Sequence, residues 1–310
     1  MPTKTKTFNC KILQKCKTLI HQNQYLFAVI LFLTGTGLHT LHTVLIKSIG
    51  AKTECSTYEI LFLRGLFAFI ILTPFFLAKK VKFITKHQFL PNLIVAMFSI
   101  CATYCWHYGL SMVPINNGII INFLLPMTTS IVAYFLIKEK ISKELIVSII
   151  ICFLTIVFAY GFTSSFNIGY LLLAIDIISY SMYVVLSKRL ILQKQSPVSL
   201  LYFKVIIICL TSIHVIPDLG NKISNNYSII TSTFLTTLFY IAEALLILKA
   251  YTYTAVSSLQ PLYYTRIIFA SIFSYLLLGE ILTWQQILTA VIIILVNLNL
   301  IRVFRKNTIY

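Results

Sequence analysis

The chain has 310 residues, 58% of them apolar and only 11% charged, where a soluble domain carries about 25% charged residues. With a mean hydropathy of +0.89 it cannot cover itself with a surface that water tolerates, which excludes the soluble enzymes and binding modules and makes the bilayer its solvent. The net charge of +17 admits a nucleic-acid partner in principle, so the positions of the basic residues have to decide that question.

Residues 1–24 form a basic arm with five lysines ahead of the first apolar run. The arm looks like the n-region of a secretory signal, but the run from Tyr25 to Ile46 is too long for a signal core and has no small-x-small cleavage site, so it predicts a retained first helix. Apolar runs bounded by charge or by Pro, Asn and Gly clusters predict further helices over 57–78, 88–110, 115–137 and 145–162, then 166–187, 199–217, 229–250, 256–278 and 284–302, with a tail over 303–310. The links between them are short, as in "SMVP" at 111–114 and "GFTSSF" at 161–166, and leave no room for a soluble domain. The fold expected is therefore all-α and integral to the membrane, with ten transmembrane helices. Seven cysteines (10, 16, 55, 101, 105, 152 and 209) lie almost entirely in spans or in the basic arm, without a Cys-x-x-Cys pair, so neither a disulfide framework nor a zinc site is expected.

With the N-terminus placed in the cytoplasm, 19 of the 25 lysines and arginines fall in cytoplasmic segments, three (Lys47, Lys52 and Lys222) fall outside, and three (Arg64, Lys204 and Arg266) lie within spans. That asymmetry predicts a multi-pass protein of the cell inner membrane with both termini cytoplasmic. The cytoplasmic charges are spread over six segments instead of one folded module, which argues against nucleic acid as a partner.

A shift of 141 residues brings the two halves into register. "TVLIK" at 43–47 meets "VVLSK" at 184–188, and "AYFLIKEKIS" at 133–142 meets "SYLLLGEILT" at 274–283, so Lys47 falls on Lys188, Tyr134 on Tyr275 and Glu139 on Glu280; with one residue of slippage Arg64 meets Lys204. Two copies of a five-helix unit, 25–162 and 166–302, follow. Because five is odd the second copy enters the membrane with opposite polarity, which gives two inverted repeats and a site at their interface that each side can reach in turn.

Two five-helix halves, the "FLRGLFA" of the second helix and the shared Glu-x-(Leu/Ile)-(Ser/Thr) after the fourth and ninth helices resemble the drug/metabolite transporter superfamily, EamA branch, over residues 25–302. The stretch "QPLYYTRIIFASIFSYLLLGE" at 260–280 is similar to the ninth helix of the S-adenosylmethionine uptake transporters of obligate intracellular bacteria. The resemblance implies a secondary carrier that moves a small polar or zwitterionic metabolite, with S-adenosylmethionine uptake as the first choice and export of an amino acid or another metabolite as the alternative.

A charge at mid-span costs about 3 kcal/mol on insertion scales, so each one held there needs a partner or a wet cavity. Asp176, Glu243 and Arg266 are the deepest and form the expected substrate site; their formal balance of −1 suits a cationic or zwitterionic solute, with the arginine on a carboxylate and the spare acid on an ammonium or sulfonium. The plain alternative is that Arg266 pairs with Asp176 or Glu243 only to hold helices together. Tyr263 and Tyr264 lie one turn before Arg266, and Trp106, with Tyr104 and Tyr108, offers a second aromatic surface for a cation or a purine. Arg64 is read as a pair with Glu59 near the external mouth, or as a gate, and Lys204 as a snorkelling residue, or as a gate, near the cytoplasmic end. His107, His39 and His42 titrate near neutral pH as free side chains, which makes them candidates for proton coupling, although packing or hydrogen bonding is the first reading for the pair on helix 1. As an i, i+3 pair that helix offers two metal ligands and no third, so no metal is expected. Pro126 and Pro261, with Asn116 and Asn122, mark places where helices bend toward a cavity, and Gly35 and Gly37 allow close helix approach.

No Gly-x-x-x-x-Gly-Lys-(Ser/Thr) segment is present, which excludes ATP hydrolysis of that type. A lipid-modifying membrane enzyme needs nucleophile, base and phosphate-binding groups together at one interface, whereas the buried acids here are dispersed at mid-depth. No cofactor is expected. The partners expected are a small-molecule substrate, lipid, and a proton or counter-substrate; the sequence leaves the oligomeric state undetermined.

Overall fold

In the computed structural model, residues 24–46, 56–78, 84–113, 121–160, 168–213, 228–278 and 284–307 are described. The basic arm up to residue 23, the end of the tail from 308, and Lys47, Asn116, Lys222 and Glu280 lie outside them. Every regular element among the described residues is helical. In chain order these are α1 (Gln24–Ile46), α2 (Thr57–Leu77), α3 (Lys86–Met112), α4 (Leu125–Ile137) and α5 (Lys143–Tyr160). Next come α6 (Ile168–Leu192), α7 (Pro197–Thr211), α8 (Ser228–Tyr253) and α9, then α10 (Trp284–Asn307). The tail expected from 303 is thus helical as far as Asn307.

Five of these, α1, α2, α3, α6 and α8, are long and apolar enough to cross a bilayer by length and composition; α4 and α7 are shorter apolar helices. The outer face of the bundle exposes the large apolar side chains Phe135 on α4, Phe158 on α5 and Leu295 on α10, the inverse of a soluble surface and what a lipid solvent calls for. The polar residues Asp176, Glu243, Thr237 and Arg64 are buried instead.

Local chemistry fixes the ends. Ser56 and Glu59 form a capping box at the start of α2, the Glu59 carboxylate accepting the Ser56 N–H at 2.5 Å. Lys138 ends α4 in the left-handed conformation, with φ of 54°. α9 is broken: Val256–Leu259 is α-helical, Gln260–Thr265 is 3-10 and Arg266–Leu278 is α-helical again. Pro261 has no N–H for an α-helical ladder, which accounts for the tighter turn where the sequence predicts a bend.

Small residues set two close approaches. A Cβ at Gly109 or Gly169 would stand 2.7 Å from a side-chain carbon across the α3/α6 contact, which is why those two helices run against each other along their length. At Gly35 it would stand 2.7 Å from Ile247, so α1 lies tight on α8 as the small-residue pattern predicts; Gly37 meets Phe269 at an ordinary 3.5 Å.

Candidate functional site

A cavity of about 130 Å³ lies between α1, α2, α3, α4, α6, α7, α8 and α9. Its lining is drawn from the C-terminal halves of α1 and α3, the N-terminal halves of α2 and α6, and the middle of α8, so it occupies one end of the bundle and reaches mid-depth. Asp176, Glu243, Arg266, Tyr263, Trp106, Arg64, Lys204 and His107 all border it.

The Arg266 guanidinium donates to the Tyr263 hydroxyl and lies 4.5 Å from that ring's centre. This follows from the 3-10 turn, in which side chains three residues apart eclipse one another. Tyr263 donates to Asn122 Oδ1 at 2.7 Å, and Asn122 Nδ2 donates to Asp176 Oδ2 at a long 3.4 Å. Arg266 and Asp176 are thus joined through two neutral side chains by three hydrogen bonds that all donate in one direction. No direct ion pair joins Arg266 to either acid among the described residues, so the helix-tie pairing raised from the sequence is absent. A cation and an anion held apart across a cavity present a ready receptor for a zwitterion.

Glu243 takes different partners. His39 Nδ1 stands 2.8 Å from one carboxylate oxygen and His42 Nε2 2.8 Å from the other. The tight α1/α8 approach at Gly35 brings them there, one and two turns further along α1. Glu243 supplies the third acceptor that the histidine pair lacks in sequence, and the three ligand-type atoms lie within 4.8 Å of one another. Each nitrogen is nevertheless hydrogen-bonded to its own oxygen, and Arg64 and Arg266 both act on Glu243 electrostatically. The cluster is a hydrogen-bonded one that already carries positive neighbours, a poor setting for a divalent ion.

Two residues read as surface-seeking turn inward. Arg64 lies 4.3 Å over the Tyr240 ring instead of pairing with Glu59, whose carboxylate caps its own helix. Lys204 Nζ is 4.7 Å from the Tyr183 ring centre and 5.5 Å from that of Tyr240, so it does not snorkel. Both cations find a π face in place of water. With them the cavity holds Arg64, Lys204 and Arg266 against Asp176 and Glu243, a formal balance of +1 that corrects the −1 expected from three groups.

Tyr264 departs from its expected place. It is fully buried, stacks on Phe123, and donates to the Phe123 and Ile149 carbonyls at 3.1 and 3.3 Å; on the opposite side of the turn from Tyr263, it ties α9 to α4 and α5. Tyr104 and Tyr108 flank Tyr58 outside the cavity. Sequence reasoning missed Tyr180, Tyr183 and Tyr240, which line the cavity; their spacing of one or two turns from Asp176 or Glu243 is the signal that marks them.

Among the described residues the other end of the bundle is packed. Phe32, Val184, Leu248, Tyr251 and Leu259 form a continuous apolar core there, and a space beside Arg266 on that side is about 10 Å³, scarcely enough for one water. Asn92 donates to Gln195 at 3.1 Å across α3 and the end of α6. The corner between α8 and α9 is held by two distant side chains. Lys188 donates to the Tyr251 and Thr254 carbonyls, while Glu139 accepts from the Val256 and Ser257 N–H groups, both at 2.9 Å, and from the Ser257 hydroxyl.

Residues 26–161 and, separately, 167–299 match the EamA-like transporter family. Three relatives bear the name S-adenosylmethionine uptake transporter. That of Rickettsia prowazekii (strain Madrid E) is 24% identical over 91% of this chain and 95% of its own length. That of Rickettsia felis (strain ATCC VR-1525 / URRWXCal2) is 25% identical over 85% and 90%, and that of Rickettsia bellii (strain RML369-C) 24% identical over 85% and 89%. A solved crystal structure shares the fold with a TM-score of 0.72 at 14% identity, covering 90% of this chain and 98% of the other.

Proposed function

Because the chain belongs to the EamA-like transporter family, we propose that this multi-pass membrane transporter carries S-adenosylmethionine across the inner membrane as a secondary carrier working by alternating access. The observation that carries the substrate reading is the Arg266–Tyr263–Asn122–Asp176 chain in a mid-depth cavity. An amino-acid head group meets it with its carboxylate at Arg266 and its cationic end toward Asp176. The surplus of cations makes the carboxylate the stronger anchor. Trp106, Tyr180 and the other rings offer faces to a purine. The names of the relatives point the same way.

The halves act, in this reading, as inverted copies. Three findings support it. The two family matches begin 141 residues apart, at 26 and 167. Tyr263 bonds Asn122 and Tyr264 bonds Phe123, each across the same spacing of 141. Lys138, left-handed at the end of α4, corresponds at that spacing to Gly279, the residue type such a position favours. Lys86 and the basic segments at 138–143 and 188–194 lie at the packed end, so on the charge count that end is cytoplasmic and the cavity faces outward.

The test is expression in a bacterium that cannot take up S-adenosylmethionine, followed by entry of the labelled compound. Uptake above the empty-vector control is expected. No uptake, in cells whose membranes hold the protein, removes the substrate assignment. Counterflow tests the carrier itself: unlabelled solute on the far side accelerates labelled uptake through a carrier, whereas a flux that rises linearly and shows no trans effect indicates a channel.

A further inference from the structure

The histidine–glutamate cluster has a composition that substrate recognition does not use up. Each oxygen of Glu243 already has an imidazole at 2.8 Å, and a helix tie needs no ionisable group where two amides would serve. Among the described residues, His42 Nδ1 is buried and has no hydrogen-bond partner.

The proton count of such a cluster is specific. With His39 donating through Nδ1–H and His42 through Nε2–H to an ionised carboxylate, the cluster has charge −1, every proton is used in a hydrogen bond, and His42 Nδ1 is a bare lone pair. One further proton brings it to zero, shared among Glu243 and the two rings, with neither helix moving. A second added proton makes the cluster cationic beside Arg64 and Arg266, which Coulomb repulsion at these separations opposes. The charges and titratable groups facing it are Arg64 from α2, His107 from α3, Tyr180 and Tyr183 from α6, Tyr240 on α8 itself and Arg266 from α9. Arg64 and Arg266 favour the anionic form of the cluster, which keeps a bound proton easy to release. His39, His42 and Glu243 all border the cavity, so the same opening that admits substrate admits the proton.

We propose that Glu243, held by His39 and His42, is the coupling site at which this carrier binds one proton on one side of the membrane and releases it on the other. The proposal rests on the carrier reading. It assigns the site of coupling to α1 and α8 and the site of substrate recognition to Asp176, Asn122, Tyr263 and Arg266, which line the same cavity. In this scheme the proton comes from solution, adds to a lone pair of the cluster and returns to solution, with no covalent change in protein or substrate.

Two measurements test it on the full chain in proteoliposomes. In the first, an imposed pH difference of one unit drives S-adenosylmethionine accumulation in vesicles that show counterflow, by up to about tenfold for a one-for-one coupling; either direction supports the proposal. Glu243→Gln, which keeps the shape of the side chain and its hydrogen-bonding oxygen, loses the response to the gradient. Counterflow that ignores the pH difference in the wild type overturns the proposal and leaves the carrier intact. The second needs no substrate: infrared difference spectra taken across a pH titration show a carboxylic-acid carbonyl band that disappears as pH rises and is missing in Glu243→Gln. His42→Gln shifts its midpoint. A band that Glu243→Gln leaves in place overturns the assignment to this residue. If counterflow is absent, the carrier reading fails and the infrared titration decides the proton site alone.

Discussion

At the level of single residues, the neighbouring tyrosines 263 and 264 carry opposite duties. Tyr263 receives the Arg266 guanidinium and faces the cavity; Tyr264 is sealed behind it on carbonyls of α4 and α5. Tyr264→Phe is expected to lower the protein's resistance to denaturant by about 1 kcal/mol, the net worth of a buried hydrogen bond, with KM unchanged; a raised KM at full stability would place Tyr264 in the site. Arg266→Gln removes the cation that meets the substrate carboxylate, and charge-assisted bonds of this kind contribute about 1.5–3 kcal/mol. KM for S-adenosylmethionine is therefore expected to rise roughly 10- to 100-fold. The control is a decarboxylated analogue, whose inhibition constant should be the same in wild type and variant. Depth along each helix was readable from the sequence, which is why Asp176, Glu243 and Arg266 stood out. Rotation about each helix axis was not. A difference of about 100° per residue separates a Glu243 that meets Arg266 from one that meets two histidines, and apolar residues on all sides of these spans leave no periodic stripe to fix that angle.

At the level of elements, the apolar runs set most helices to within a few residues, because hydrocarbon thickness leaves little choice of length; the exceptions are α4, expected over 115–137 and found over Leu125–Ile137, and α7, expected over 199–217 and found over Pro197–Thr211. Breaks inside a span are harder to read. Pro261 announces one, but only the fold shows that the break is a 3-10 turn that aligns Tyr263 with Arg266. Less legible still is the corner between α8 and α9. The recurring lysine and glutamate, Lys188 and Glu139, are visible as repeated letters, yet nothing in one sequence says that both converge on residues 251–257. Glu139→Ala leaves two N–H groups of the first turn of α9 without their acceptor, a loss comparable to removing a strong helix cap, about 1–2 kcal/mol. A lower midpoint in denaturing detergent is the expected result. Unchanged stability would mean that water satisfies the corner equally well.

For the whole molecule, lipid-facing exteriors and a buried polar middle make an inside-out version of a soluble protein, and this much follows from composition. The cations of the cavity were less accessible to reasoning. Arg64 and Lys204 were read as reaching for the two surfaces, yet both lie on one ring, that of Tyr240, because an aromatic face in the centre replaces part of the hydration each would seek at an interface. Reporter fusions at residue 310 should be fluorescent with a cytoplasm-dependent reporter and inactive with one that matures only outside the membrane. The opposite pair of signals would reverse the direction in which the cavity opens.

The stitched α8/α9 corner also bears on how the chain is made. Glu139 and Lys188 leave the ribosome well before residues 251–257, so the ends of α4 and α6 are in place as a socket when the corner arrives. Until then a carboxylate and an ammonium wait at the membrane edge without the peptide groups they are shaped to hold. A nascent chain stopped after α7 is therefore expected to insert yet remain open at that end and be cleared by membrane proteases, and one that reaches α9 to become resistant. The same five hydrogen bonds that close one end of the bundle can thus form only once the start of α9 has been made.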